Sequence, residues 1–338
     1  WSVGFTASEV PSGESNETAT IYTTDVAGNT EQTSVDFAVD TLVNNLAVSP
    51  DPTTADDVIN AEEATQGFTM TGEVEVGSTV IVTFGGVAHT AIVAANGAWS
   101  VDIPPSSIQS GTGVQVATID ATDLAGNTLS TTEDIMVDTV APDQLAWEGY
   151  GRNHEGVDQI RTEISDDSVE ISRVVDGEGA NPSVVDVALD SQVDVDALDL
   201  TFHTFADAVP DGTHLVLSQT DEAGNVSGSY LVTDDPATSE VTMTDALAST
   251  LSDFNIETID LEFAEDSHLT ITEAQLTALS SNTDTLVVHG GADDSVTIIG
   301  ATASGTHTEG SETFNVFTLG DATLLIDDDI TNVSTGVV

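Results

Sequence analysis

The pentapeptide Asp25-Val-Ala-Gly28-Asn29 returns as Asp123-Leu-Ala-Gly126-Asn127 and again as Asp221-Glu-Ala-Gly224-Asn225. Both intervals are 98 residues, 123 − 25 and 221 − 123. Two further landmarks keep the same register between the first two copies. Trp1-Ser2-Val3 matches Trp99-Ser100-Val101, and Val39-Asp40-Thr41 matches Val137-Asp138-Thr139. A period of this length exceeds the roughly 20–50 residues of solenoid repeats, so each copy is expected to bury a core of its own.

Within one period, short alternating apolar runs sit between turn signals, as half-buried strands require. The runs are Phe68 to Thr71, Ser78 to Phe84, His89 to Val93, Ala98 to Ile103, Val114 to Thr122 and Leu129 to Val137. Gly85-Gly86 and Asn96-Gly97 are hairpin turns, because glycine and asparagine tolerate the positive φ such turns need. About seven strands in about 100 residues, with no long helix, is the pattern of an immunoglobulin-like sandwich. Trp1 and Trp99 fall on strands and are expected in the cores.

Register gives the domain limits. Residues 1–41 read as the C-terminal half of an immunoglobulin-like repeat and 42–139 as a complete domain. Residues 140–235 form a divergent copy that keeps the Asp-x-Ala-Gly-Asn turn but lacks the tryptophan strand. Residues 236–338 break the period. There, Thr272-Glu-Ala-Gln275 is a capping box for a short helix, with Ala274, Leu276 and Leu279 placed on one face. Around it, Ile256 to Leu261, Thr285 to Val288, Ser295 to Ile299, Phe314 to Phe317 and Ala322 to Ile326 read as strands. The fold class expected is all-β: tandem immunoglobulin-like β-sandwiches followed by a β-rich C-terminal module with one short helix.

Charge bounds the function. The chain carries 59 acidic residues against three basic ones, for a formal net charge of −56. The basic residues are Arg152, Arg161 and Arg173, and there is no lysine. A basic nucleic-acid-binding face is thereby excluded, and no apolar run approaches the roughly 18 residues of a membrane span. Such self-repulsion disfavours a compact state unless ions screen it within about 8 Å or cations neutralise part of it. With no cysteine there is no disulfide and no thiolate metal site. With no lysine there is no Lys–Asn isopeptide staple. Packing or metal must then supply rigidity.

Four stretches carry a family resemblance: Asp56-Asp-Val-Ile-Asn-Ala-Glu-Glu63, Gly97-Ala-Trp-Ser-Val101, Ala121-Thr-Asp-Leu-Ala-Gly-Asn127 and Val137-Asp-Thr-Val-Ala-Pro142. Residues 1 to about 140 resemble the bacterial Ig-like repeats of giant type I-secreted (RTX-type, biofilm-associated) surface adhesins. Residues 256–330 resemble a β-rich module near the C-terminal ends of the same proteins. The resemblance implies a secreted, extracellular, cell-surface location and a role in cell adhesion and biofilm formation. It also implies stiffening extender modules whose partners are the neighbouring repeats of the same chain, with Ca2+ at domain junctions. A host or biofilm-matrix glycan or protein is a further partner.

Calcium takes six to eight oxygen ligands, with carboxylates prominent. The candidates are Asp25 with Asp40, Asp123 with Asp138, Asp221 of the third turn, and the entry acids Asp51, Asp56 and Asp57. Asp293, Asp294, Asp327 and Asp329 complete the set; alternation along a strand favours Asp327 with Asp329 over adjacent acids. No EF-hand or glycine-rich nonapeptide spacing is present, and an acid in a turn is commonly satisfied by its own backbone. Catalytic signatures are absent: no G-x-S-x-G elbow, P-loop, H-E-x-x-H or dinucleotide fingerprint occurs. The chain is therefore expected not to be an enzyme. Two alternatives remain open. A glycan or peptide could bind within 140–338 through Trp147, Tyr150 and Arg152, or the half repeat could be completed by strand exchange in a surface filament.

Overall fold

A computed structural model describes residues 1–50, 53–234, 238–279, 285–310 and 312–336. The chain forms two compact units, Trp1–Val140 and Ala141–Val338. Among the described residues, no helix is long and apolar enough to cross a membrane.

In the first unit, β1 (Ser15–Thr24) and β2 (Thr30–Val39) pair as an isolated antiparallel ribbon from Ser15–Val39 to Thr24–Thr30. A sandwich follows. One sheet contains β3 (Ala47–Val48), β5 (Phe68–Glu73), β8 (Ile92–Val93) and β9 (Ala98–Ile103), in the order β3-β5-β9-β8. The other contains β4 (Val58–Ile59), β6 (Thr79–Phe84), β7 (Val87–Thr90), β10 (Thr112–Thr122) and β11 (Thr128–Asp138), in the order β4-β11-β10-β6-β7. A short helix, α1 (Ala61–Gln66), joins β4 to β5; Asn60 and Glu63 close a capping box at its start. Alternate residues of both sheets meet in a core of Val80, Val82, Phe84, Trp99, Ile103, Ile119 and Val137.

The 98-residue register is physical. Thr24–Thr30, Thr122–Thr128 and Thr220–Val226 are the corresponding last pairs before the same turn in the three copies. In each turn the fourth residue is a glycine in the left-handed region: Gly28, Gly126 and Gly224 have φ of 89°, 95° and 86°. Trp99 is buried as expected, at 2% exposure, but Trp1 is 91% exposed. The ribbon has a single two-stranded layer, so it offers Trp1 no second sheet to pack against.

The second unit begins with a sandwich of two four-stranded layers. One layer contains β12 (Trp147–Asn153), β13 (Gly156–Glu163), β16 (Leu189–Val195) and β17 (Leu200–Val209). The other contains β14 (Ser168–Val175), β15 (Ser183–Asp186), β18 (Leu215–Thr220) and β19 (Val226–Leu231). Leu145, Trp147, Ile160, Phe205, Leu215 and Leu217 fill the space between them.

The layer ending in β19 does not stop there. β19 pairs in parallel with β21 (Ile256–Asp260), then come β23 (Thr285–His289) and β27 (Ala322–Asp327), also parallel, and the hairpin partners β26 (Glu312–Leu319) and β25 (Thr302–Glu309). A second parallel sheet stacks β20 (Glu240–Thr242), β22 (His268–Ile271), β24 (Ser295–Ile298) and β28 (Asn332–Ser334). Two helices, α2 (Asp245–Leu251) and α3 (Glu273–Leu279), bridge the sheets in successive coils. The terminal segment is thus a short parallel β-solenoid whose first sheet grows out of the sandwich. Its core also takes in Val174, Val216, Tyr230 and Val232 of the sandwich.

The Thr272–Gln275 capping box forms: Gln275 Oε1 accepts from Thr272 N at 3.0 Å, and Thr272 Oγ1 from Gln275 N at 3.4 Å. Leu276 and Leu279 are buried. Ala274 is exposed rather than on their face, because two residues turn a helix by about 200°.

Candidate metal centre at the first repeat junction

The three Asp-x-Ala-Gly-Asn turns share one geometry. Asp25, Asp123 and Asp221 each accept the main-chain N–H and the side-chain amide of the asparagine four residues on, at 2.7–2.9 Å. The Asn29 side chain, then its N–H, holds the Asp25 carboxyl below the usual carboxylate range, although the turn is exposed. At Asp123 burial works upward, but the Asn127 donors outweigh it and the net direction is also down. These aspartates are turn-formers saturated by their own loops.

The pairing also separates the proposed couples. Asp25 and Asp40 lie at opposite ends of the ten-pair β1–β2 ribbon, roughly 30 Å apart at about 3.4 Å per residue. Asp123 and Asp138 are held apart in the same way by β10 and β11. Neither couple can share an ion.

Among the described residues, two groups of three acids bring one carboxylate oxygen each within 4.8 Å of one another: Glu14 with Asp40 and Glu75, and Asp327 with Asp328 and Asp329. The first is built from separate segments. Glu14 and Asp40 sit one residue beyond the Ser15–Val39 pair, at the open end of the ribbon. Gly13 N donates to Thr41 Oγ1 at 2.7 Å and ties that end together. Glu75 comes from the loop after β5 and is fixed by two main-chain contacts with Asn44: its N–H donates to the Asn44 carbonyl, and its Oε2 accepts the Asn44 N–H, both at 3.0 Å. The Asn44 side-chain amide donates to Glu14 Oε1 at 2.5 Å. Asp40 in addition accepts from Asn127 Nδ2 at 3.1 Å. The end of the ribbon, the linker and the following sandwich therefore meet at these carboxylates.

Glu14 and Glu75 were not among the sequence candidates. The signal available was the register itself: Glu14 is the counterpart of Thr112, whose hydroxyl donates to Asp138 at 2.8 Å. An acid standing where the next repeat has a hydroxyl, opposite a retained aspartate, marks the position.

The other candidates are placed as follows. Asp56 accepts from Thr54 Oγ1 and Val58 N, and Asp57 from Thr53 N, within one loop. The Val58 N–H, then the Thr54 hydroxyl, lowers the Asp56 carboxyl. Asp294 is buried and takes the N–H groups of Ser267 and Gly291, with burial pushing its carboxyl up, whereas Asp293 is exposed. Asp327 accepts from Asp329 N at 3.0 Å in an exposed turn. Asp51 lies outside the described residues.

Trp147, Tyr150 and Arg152 do not form an open platform. Trp147 is buried in the sandwich core because its strand alternates inward there. The Tyr150 hydroxyl donates to the Phe263 carbonyl at 3.0 Å, with the two rings edge to face. Arg152 pairs with Asp211 and, at 2.8 Å, with Asp234. Each is engaged inside its own unit.

No family model and no curated protein matches the chain. Among solved structures it is similar to a Ca2+-stabilized adhesin that helps an Antarctic bacterium reach out and bind ice, at 25% identity and a TM-score of 0.37, over 64% of this chain and 55% of that one. It is similar to a bacterial immunoglobulin-like domain from the M. primoryensis ice-binding adhesin, at 33% identity and a TM-score of 0.23, over 30% of this chain and 97% of that one. It is also similar to a tetra-tandem repeat in the extending region of a large adhesion protein, at 19% identity and a TM-score of 0.24, over 66% and 56%. The chain spans little more than half the length of the first of these.

Proposed function

We propose that this chain is a non-enzymatic extender segment of a large bacterial cell-surface adhesin, secreted and extracellular, serving cell adhesion and biofilm formation. In this reading calcium at Glu14, Asp40 and Glu75 locks the ribbon to the sandwich that follows. The observation that carries the metal is the convergence of three carboxylates from three segments with no lysine or arginine in their own unit to neutralise them: the chain has no lysine and its arginines are all at 152 and beyond. Hard oxygen donors of this kind suit calcium, with main-chain carbonyls and water completing the shell. The metal would screen the mutual repulsion of the three acids and cross-link the junction, limiting its bending.

Thermal unfolding of the chain with calcium and with chelator tests this. At calcium about 100-fold above Kd the bound ion adds about 2.7 kcal/mol, which raises the melting temperature of the first unit. Asp40→Asn and Glu75→Gln should abolish the increment. Identical melting in calcium and chelator would remove the metal from this reading.

A second reading, completion of the ribbon by strands of another copy, is favoured by one observation. Phe37 and Val35 are exposed on β2, while Ile135, the counterpart of Phe37, is buried in the complete sandwich. A stable monomer in sedimentation would sink it.

A further inference from the structure

The outer face of the layer β12-β13-β17-β16, opposite the one that buries Trp147, holds an arginine without an acid. Burial alternates along the central strands. Ile160, Thr162, Thr201 and His203 are buried, so Arg161 and Phe202 between them lie on the outside, part-exposed. Pairing sets Gly149, Arg161, Phe202 and Val193 side by side across the four strands, and Val193 is 52% exposed. Gln159 and Thr204 form the row on one side, with Gln159 Nε2 donating to Thr204 Oγ1 at 3.2 Å. Glu163, Leu200 and Val195 form the row on the other.

Arg161 is the anomaly. The chain has 59 acids to three arginines, and Arg152 pairs with Asp211 and Asp234. Arg161 pairs with no carboxylate among the described residues, although Glu163 is the next residue along β13 on the same face. Its guanidinium lies over Gly149, where a Cβ would come within 2.6 Å of Nη2. Gly149 also has φ of 135°, so both the space and the backbone there suit glycine. Nη2 donates to the Tyr150 carbonyl at 3.4 Å, and Nε is enclosed without a partner. Nη1 has neither a partner among the described residues nor cover from solvent. One long main-chain bond therefore holds the side chain against the sheet without meeting its charge.

The surroundings select the ligand. A guanidinium with a free N–H group takes a carboxylate. Phe202 and Val193 beside it take an apolar surface, and the Gln159–Thr204 pair keeps an amide oxygen and a hydroxyl proton for further hydrogen bonds. β13 and β17 are interior strands whose main chains are used within the sheet, so an extended peptide gains no strand pairing here. One base on the face of a chain with a net charge of −56 admits one carboxylate and repels a polyanion. A single carboxylate, an apolar ring face and several hydroxyls together describe an acidic sugar. We propose that this face binds the terminal uronic acid of an otherwise neutral glycan, its carboxylate on Arg161 and its ring against Phe202. This goes beyond the extender role and does not depend on calcium at the first junction.

The test follows the amide resonances of Arg161, Phe202 and Val193 in the full chain during titration with three probes. These are a glucuronyl-terminated disaccharide, its neutral glucosyl counterpart and a short capped peptide with one glutamate. Saturable shifts are expected with the first, and binding of the other two should be about tenfold weaker or more. Arg161→Gln should weaken binding of the acidic disaccharide about tenfold. Arg161→Lys, which keeps the charge and loses the planar fork, should weaken it several-fold. Glu163→Gln, which removes the acid from the face, should tighten it. Glu309→Gln, the same charge change on exposed β25, should leave it within about twofold. Equal binding of the neutral disaccharide or of the peptide, binding unaltered by Arg161→Gln, or no saturable shift with any probe overturns the proposal.

Discussion

Asn127 Nδ2 donates to Asp123 within its own turn at 2.7 Å and to Asp40, 87 residues earlier, at 3.1 Å. One amide group thus closes a turn in the sandwich and touches the linker that joins it to the preceding ribbon. Both acceptors are carboxylates, so the bonds are stronger than neutral ones.

Replacing Asn127 with alanine should therefore cost more than the same change at Asn29, whose amide serves its own exposed turn. A loss of about 1–3 kcal/mol is expected for Asn127→Ala, lowering the melting temperature of the first unit by several degrees. A double-mutant cycle with Asp40→Ala should show coupling of about 0.5 kcal/mol or more. Additive effects in thermal unfolding would mean that the linker contact contributes nothing.

The turn was legible in the sequence because one function, a carboxylate receiving two donors from the asparagine four residues on, demands the same residues each time. The strands were legible for a similar local reason: Phe68 to Glu73 and Ala98 to Ile103 alternate as a half-buried surface must. The junction site was not, because Glu75 reaches Glu14 and Asp40 only after the sandwich has folded, and its own neighbours say nothing of the ribbon. The solenoid pairing was hidden likewise, since parallel strands such as β20 and β22 join residues a full coil apart. A trace of it was readable. Val241-Thr-Met-Thr-Asp-Ala246 and Leu269-Thr-Ile-Thr-Glu-Ala274 repeat one pattern at 28 residues, 269 − 241, and each runs from a strand into a helix.

Packing leaves no room for a side chain at Gly72, where a Cβ would stand 2.1 Å from the Ala47 carbonyl oxygen. A Cβ there would come within 2.5 and 2.6 Å of the Trp99 ring. Trp99 cannot give way, being buried with its Nε1 donating to the Glu73 carbonyl at 3.3 Å. Gly72→Ala should destabilise the sandwich by about 1–3 kcal/mol, read as an earlier unfolding transition and altered near-ultraviolet circular dichroism. An unchanged transition would show that β5 and β9 can separate freely.

His203 gives the second unit an acid-sensitive point. It is 1% exposed, its Nε2 lies 3.0 Å from Thr162 Oγ1, and its Nδ1 has no partner among the described residues. Burial holds its imidazole below the ordinary range, against the pull of Asp194. The unfolded chain then binds the proton more readily. The contribution is present above about pH 6.5 and is lost as pH falls towards the folded value, by at most about 1.4 kcal/mol per pH unit. His203→Gln should flatten the acid side of a plot of melting temperature against pH. An unaltered slope would place the acid sensitivity elsewhere.

Asp260 works in the opposite direction. It ends β21 at 5% exposure, accepting only the Glu262 N–H at 2.9 Å among the contacts seen for its carboxylate. Burial pushes its carboxyl up to about 7; the Glu262 N–H opposes this, while the charges of Glu262 and Asp294 reinforce it. In the unfolded chain it titrates near the ordinary value of about 4. The folded state therefore favours the protonated acid, whose contribution is complete below about pH 4 and is lost as pH rises through about 7. A gap of about three pH units corresponds to roughly 4 kcal/mol at full ionisation, an upper bound once the fold relaxes. Asp260→Asn keeps an acceptor for Glu262 N and removes the charge. It should raise the melting temperature of the second unit at pH 8 by several degrees and leave it nearly unchanged at pH 4. Equal stability of the two proteins at both pH values would mean that Asp260 is ionised without cost, with water or a cation reaching it at the end of β21.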